Sequence, residues 1–176
     1  MPKAKAEQPN LQLEYVEPLE GESLPSYFHR FRHEKGNRLS TPSWLTQEAG
    51  IGPVLARWER FQFNPYPSRK ELKAVGSLIG IDSVKLAEML PPKGEKVVQN
   101  TLRFCAACYL KNPCHQMRWQ LQSTEGCDRH QLRLLSKCPG TGCRQKFSIQ
   151  SILTNDFCEK CGMPYKRMIK YQKAYY

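Results

Sequence analysis

The sequence predicts a helical, helix-turn-helix-like N-terminal domain followed by two tandem zinc-finger or zinc-ribbon modules with a small β content. Three observations lead there. Short apolar stripes at helical spacing, with Ser, Asp and Gly at their ends, fill the first half. All eight cysteines of the 176-residue chain lie after residue 104. Charge is close to balance over residues 1–96, with 14 Lys+Arg against 12 Asp+Glu, but strongly basic over 97–176, with 13 against 4. The expected boundaries are a flexible lead over 1–17, the helical domain over 18–92, a first zinc finger over 93–137, a second zinc ribbon over 138–165 and a basic, aromatic tail over 166–176. The main break is placed near Pro91 to Glu95.

In the helical domain, Leu24, Phe28 and Phe31 share one helical face, with Ser23 placed to cap the segment and Gly36 to end it. Ser40-Thr41-Pro42-Ser43-Trp44-Leu45 puts proline in a first turn, where a helix tolerates it. Gly50-Ile51-Gly52-Pro53 separates that helix from a second through Leu55, Trp58 and Phe61. Ser68-Arg69-Lys70-Glu71 is a capping box opening a helix striped by Leu72, Val75, Leu78 and Ile79 and closed by Gly80. Asp82 caps a last helix from Ser83 to Leu90, stopped by Pro91-Pro92. That helix offers base edges one Lys and one Glu, which makes it a poor groove reader.

Seven cysteines and one histidine divide into two tetrahedral ligand sets. Cys105-x2-Cys108 and, eighteen residues on, Cys127-x2-His130 make the first. Cys138-x4-Cys143 and, fourteen residues on, Cys158-x2-Cys161-Gly162 make the second. Paired thiolates and an imidazole at these spacings suit two structural Zn2+ ions. Cys114-His115 is left over and reads as a packed thiol beside a surface imidazole, with Cys114 in place of Cys127 as the alternative first-site ligand. Both sets are complete, and no glutamate stands beside them in the pattern of a zinc protease or a base deaminase. A phosphate-cradling Gly-rich loop is absent, and the only aspartates are Asp82, Asp128 and Asp156, so neither an ATPase nor an acid-triad nuclease is expected. The reading is therefore that the chain is not an enzyme.

With both sites metallated, the formal charge of +11 falls to about +8, since three thiolates or four thiolates outweigh each divalent ion. Such a field favours nucleic acid or an acidic protein surface. No apolar run approaches the roughly 18 residues of a membrane span, and Met1 to Asn10 is polar. The expectation is a soluble, cytoplasmic protein with no membrane partner, its thiols reduced and free to bind metal.

The run Leu102-Arg103-Phe104-Cys105-Ala106-Ala107-Cys108-Tyr109-Leu110, then Arg118-Trp119-Gln120-Leu121, Cys127-Asp128-Arg129-His130, Leu134-Leu135 and Cys138-Pro139, resembles the pattern of the TniQ family. The opening Pro18-Leu19-Glu20-Gly21-Glu22-Ser23-Leu24-Pro25-Ser26-Tyr27-Phe28-His29-Arg30 is similar to that family's start. Together these cover most of residues 18–162. Ala106 stands where the family pattern has proline, and the Cys138 to Cys143 spacing is wider than two. The compact length resembles the TniQ of type V-K CRISPR-associated transposons. The resemblance implies an adaptor in DNA integration that links an RNA-guided effector, with its guide RNA, to the AAA+ ATPase filament that recruits a transposase to target DNA.

On that reading, the surface around Lys111, Arg118, Arg129, Arg133, Arg144 and Lys146 is expected to contact phosphates, with Tyr109 or Trp119 available to stack on bases. Core packing is the plain alternative for Trp119, in a strand-like Met-Arg-Trp-Gln-Leu run. The helical half is expected to dock on the ATPase through Trp44 and Trp58, with Arg30, Arg32, Arg57 and Arg60 as the residues that would separate docking from nucleic-acid contact. The tail is expected to be an edge strand with a frayed end. A zinc-containing helix-turn-helix transcription regulator and a zinc enzyme are the rival classes.

Overall fold

The computed structural model describes residues 13–38 and 41–176. Most of the lead expected over 1–17, and Ser40 at the start of the second helix, lie outside the described residues. The first half consists of short helices. α1 (Leu24–His33) is capped by Ser23, whose Oγ accepts from the Ser26 amide at 3.3 Å. It buries Leu24, Tyr27, Phe28 and Phe31. α2 (Ser43–Ala49) ends on left-handed Gly50, and α3 (Val54–Trp58) is a single turn and a half. Phe61, expected at the end of α3, lies beyond it at φ 60. The helix stops early because the chain turns back there to send Phe61 and Phe63 into the core.

α4 (Arg69–Ile79) carries the complete Ser68/Glu71 capping box and ends on left-handed Gly80, and α5 (Ser83–Glu88) is capped by Asp82. The turn between them depends on Gly76: a Cβ there would sit 2.3 Å from the Ile81 carbonyl oxygen. The close approach lets α5 fold back on α4 and bury Leu86.

The cysteine-rich half has little regular structure. α6 (Ala106–Lys111) is followed by a 3-10 turn (Met117–Gln120), then β1 (Gly126–Cys127) pairs antiparallel with β2 (Leu132–Arg133) in the register Gly126 to Arg133 and Cys127 to Leu132. α7 (Ile149–Thr154) and α8 (Tyr165–Met168) complete it, α8 running into a 3-10 turn (Ile169–Tyr171). Trp119 is thus on a 3-10 turn and not a strand, and it is fully buried, as core packing requires. An aromatic node holds this half: Phe104 meets Phe147 at 4.8 Å and Tyr165 at 5.1 Å, and Tyr109 meets Tyr165 at 5.4 Å. No helix among the described residues is long and apolar enough to cross a membrane.

The two halves share one continuous core, running from Val16 to Met168, and α1 packs against α7. At the seam stands His115. It was expected on the surface, and the structure corrects this: the imidazole is fully buried. Its Nε2–H donates to the Arg103 carbonyl (3.1 Å), so Nδ1 accepts from the Ser23 hydroxyl (2.9 Å). The ring lies edge-on to Phe61 at 5.3 Å and to Trp119 at 5.7 Å. Its backbone N–H donates to Ser26 Oγ, and its carbonyl accepts from the Ser23 amide at 2.7 Å. Ser26 Oγ in turn donates to the fully buried Glu22, which makes a two-point ion pair with Arg30 at 2.8 and 2.7 Å.

The tail is also more ordered than expected. Met168 and Gln172 are buried. Gln172 accepts from the Ala106 amide (3.0 Å) and donates to the Arg133 carbonyl (2.8 Å), and Ala174 bridges Leu132 on the edge of the small sheet. The edge strand expected over the tail is replaced through Tyr171 by helix and 3-10 turn, and pairing on the sheet edge is limited to the bridge at Ala174.

Burial holds His115 neutral, pushing its pKa from 6.5 to about 3. The unfolded chain therefore binds a proton on this ring between those values that the folded chain does not. The stability due to neutral His115 is complete above pH 6.5 and is lost as pH falls toward about 3. His115→Gln is expected to flatten the acid limb of the stability curve by up to about 1.4 kcal/mol per pH unit. His115→Ala, which strands the Ser23 hydroxyl and the Arg103 carbonyl, is expected to cost about 2–4 kcal/mol. Urea denaturation at stepped pH measures both.

Candidate metal centres

Cys105 occupies the N-cap position of α6 and Cys108 its first turn, while Cys127 sits on β1 and His130 in the turn before β2. A helix start and a hairpin thus each bring two donors to one point. His130 Nδ1 lies 3.2 Å from Cys108 Sγ and 3.7 Å from both Cys105 Sγ and Cys127 Sγ, and Cys108 and Cys127 are 3.5 Å apart. In the second cluster Cys138 lies 3.5 Å from Cys161, and Cys143 3.7 Å from Cys158. All donor atoms of each quartet lie within 4.8 Å of one another. Metal–sulfur bonds of about 2.3 Å in a tetrahedron place sulfurs about 3.8 Å apart. The observed edges of 3.2 to 3.7 Å are of that order, so both clusters are geometrically suited to hold a metal ion.

Tight turns make the second cage. Left-handed Gly162 follows its last ligand, and left-handed Gly142 sits between Cys138 and Cys143. Gly140 lines the sulfurs so closely that a Cβ would meet Cys161 Sγ at 3.2 Å, and its N–H donates to Cys138 Sγ.

The electrostatics ask for a cation. Burial, reinforced by the neighbouring Cys127 and Cys105 thiols, pushes Cys108 up to about 12. Burial raises Cys105 and Cys138 as well. Thiols packed this closely resist ionising together, and a divalent ion between them would supply the missing attraction. His130 is held on the neutral side by burial and by the cations Lys111 and Arg129, which is the form that ligates. Its Nε2 is buried with no hydrogen-bond partner. No aspartate or glutamate belongs to either cluster among the described residues.

The quartets are the eight residues expected from the spacing, and Cys127 rather than Cys114 completes the first. Cys114 is fully buried, and burial pushes its thiol up to about 12, as a packed thiol should be.

The residues expected to contact partners divide sharply. The structure corrects four of them. Trp58 and Trp119 are fully buried, so neither presents a face to a partner. Tyr109 is buried, its hydroxyl donating to the Ile152 carbonyl, and is closed to base stacking. Arg32 is buried against Glu59 in a two-point pair at 2.9 and 2.8 Å. In each case packing against a distant segment consumes a side chain that looks free along its own helix. Arg30 and Arg57 are half-buried, Arg30 on Glu22 and Arg57 on the Asn64 carbonyl. Trp44 is half-buried, and Arg60, Lys111, Arg118, Arg129, Arg133, Arg144 and Lys146 are exposed, Arg133 pairing with Glu125 at 3.0 Å. The seam residues Glu22, Ser23, Ser26 and His115 were missed as a network. The signal was present in the unassigned Cys114-His115 pair and in the polar Glu-Ser-x-x-Ser opening.

Set against known proteins, the chain matches no family model and no curated protein.

Two bound metal ions per chain are expected by elemental analysis. Cys127→Ser should reduce this to about one, and Cys114→Ala should leave it unchanged. Chelation should unfold the segment around both clusters, seen as loss of near-ultraviolet circular dichroism from the Phe104, Tyr109 and Tyr165 node.

Proposed function

We propose that the chain is a non-catalytic adaptor of the TniQ type, organised by two structural zinc ions, which joins an RNA-guided effector and its guide RNA to the AAA+ ATPase filament that recruits a transposase at target DNA. One observation carries the non-catalytic part. Each cluster supplies four Cys or His donors and no carboxylate, which leaves neither an open position for a reacting water nor a general base beside the ion. Thiolate and imidazole donors at tetrahedral spacing favour zinc over harder ions.

Three further features support the adaptor reading. The opening motif Glu22-Ser23-x-x-Ser26 is buried on His115, which lies between Cys108 and Cys127, so the two stretches that resemble TniQ belong to one packed unit. Cages closed in this way hold surface loops in place, and contacts made by such loops cost less ordering entropy when a partner arrives. Lys111, Arg118, Arg129, Arg144 and Lys146 are exposed without a carboxylate partner among the described residues, leaving a cationic face for phosphates.

The helical half, with α4 and α5 in a helix-turn-helix-like pair, is assigned to the ATPase through the half-exposed Trp44, with Arg57 and Arg60 as residues whose substitution would separate docking from nucleic-acid contact. The assembly works in the cytoplasm of a prokaryote, on the nucleoid when complexed.

The test is retention of the full-length chain on target DNA. Retention is expected only when effector, guide RNA and ATPase are all present, with no cleavage or joining of DNA by the purified chain. Tight, sequence-selective duplex binding by the chain alone would favour a transcription regulator instead.

A further inference from the structure

The turn that closes one side of the second metal cluster borders a groove with no acidic residue in its walls. The groove, about 390 Å³, runs along residues 134–142 and Arg144. Its cations are Lys137 and Arg144, and its floor is the turn Pro139-Gly140-Thr141-Gly142. A Cβ added at Gly142 would meet nothing within 4 Å, so the turn is open to close approach.

Lys146 joins this rim through the backbone. It stands opposite Lys137 across an antiparallel bridge, and the Cys138 amide donates to the Gln145 carbonyl at 2.7 Å. That bond makes Lys137 and Lys146 a non-hydrogen-bonded pair, the position where facing side chains stand closest. Like charges facing each other there are unfavourable unless an anion lies between or beside them. Both are exposed, and neither they nor Arg144 form an ion pair among the described residues. Arg144 is also held at φ 49, a left-handed conformation uncommon outside glycine, directly after the ligand Cys143. The metal cluster therefore fixes a strained cation next to a repelling pair of cations.

We infer that this groove seats the phosphodiester backbone of a nucleic-acid strand, with Lys137, Arg144 and Lys146 neutralising successive phosphates and the Thr141 hydroxyl free to donate. The lining has no aromatic, amide or carboxylate side chain, so it reads the backbone and not the bases. An acidic polypeptide would be met less well, because carboxylates on flexible side chains lack the regular spacing of a phosphate chain. The inference rests on the nucleic-acid part of the proposed function and names its site.

The experiment uses the full-length, metal-loaded chain, a fluorescent single-stranded RNA of mixed sequence, a second RNA of unrelated sequence and poly-glutamate as competitor. Affinity is followed by anisotropy from about 50 to 200 mM salt. The variant is Lys137→Ser/Arg144→Ser/Lys146→Ser, whose exposed positions should leave two metal ions bound, as elemental analysis checks. The slope of log affinity against log salt should shrink by about 2, since each single-strand phosphate contact contributes about 0.7. Affinity at the low-salt end should fall at least about tenfold, equally for both RNAs. An unchanged slope and affinity in the metal-loaded variant overturns the groove while leaving the proposed function standing. Loss confined to one RNA, or preferential binding of poly-glutamate that disappears in the variant, overturns it too. Wild-type chain that binds neither RNA removes the nucleic-acid part of the proposed function together with the groove.

Discussion

Four donor atoms within 4.8 Å of one another, most of them buried, form an arrangement that only a cation makes stable in its ligating form. Burial and the neighbouring thiols drive Cys105 and Cys108 toward their neutral state, and a divalent ion at the centre would reverse that preference and tie segments distant in sequence. This matters because regular secondary structure contributes little here. The cysteine-rich half has two strands of two residues each and helices no longer than six. Such elements bury too few backbone hydrogen bonds to persist alone.

Around the cages, packing is aromatic and shared. Phe104, one residue before Cys105, contacts Phe147 and Tyr165, which belong to the surroundings of the second cluster. Gln172 reaches back to the start of α6, beside the first ligand. The first half joins the same body through His115, whose two ring nitrogens and two backbone groups are all engaged. A neutral imidazole can donate from one ring nitrogen and accept at the other, as this seam requires. The helices and the metal modules are consequently one packed unit, held by a polar seam within an apolar core.

Function follows from what these constraints leave at the surface. Each cluster offers four protein donors, the complement of a closed structural metal site. Tyr109 and Trp119 are spent on the core, whereas the exposed charged groups of the second half are mostly cations. A surface of that kind suits the proposed contact with phosphate chains, which would not choose among base sequences.

The ligand sets were legible in the sequence because metal binding is local in its demands: two donors per turn, separated by two residues or, for Cys138 and Cys143, by four, then a second such pair. The same holds for α1, α4 and α5, whose caps Ser23, Ser68 and Asp82 act within one turn of backbone. What the tertiary structure alone decided is which side chains remain free. Trp58, Tyr109 and Arg32 look available along their own segments, yet Arg32 is claimed by Glu59 and Tyr109 by Ile152. His115 gave the same false impression, since its partners Ser23 and Ser26 lie about ninety residues away. Burial is a property of what arrives from elsewhere in the chain, and no periodicity within one segment encodes the arrival.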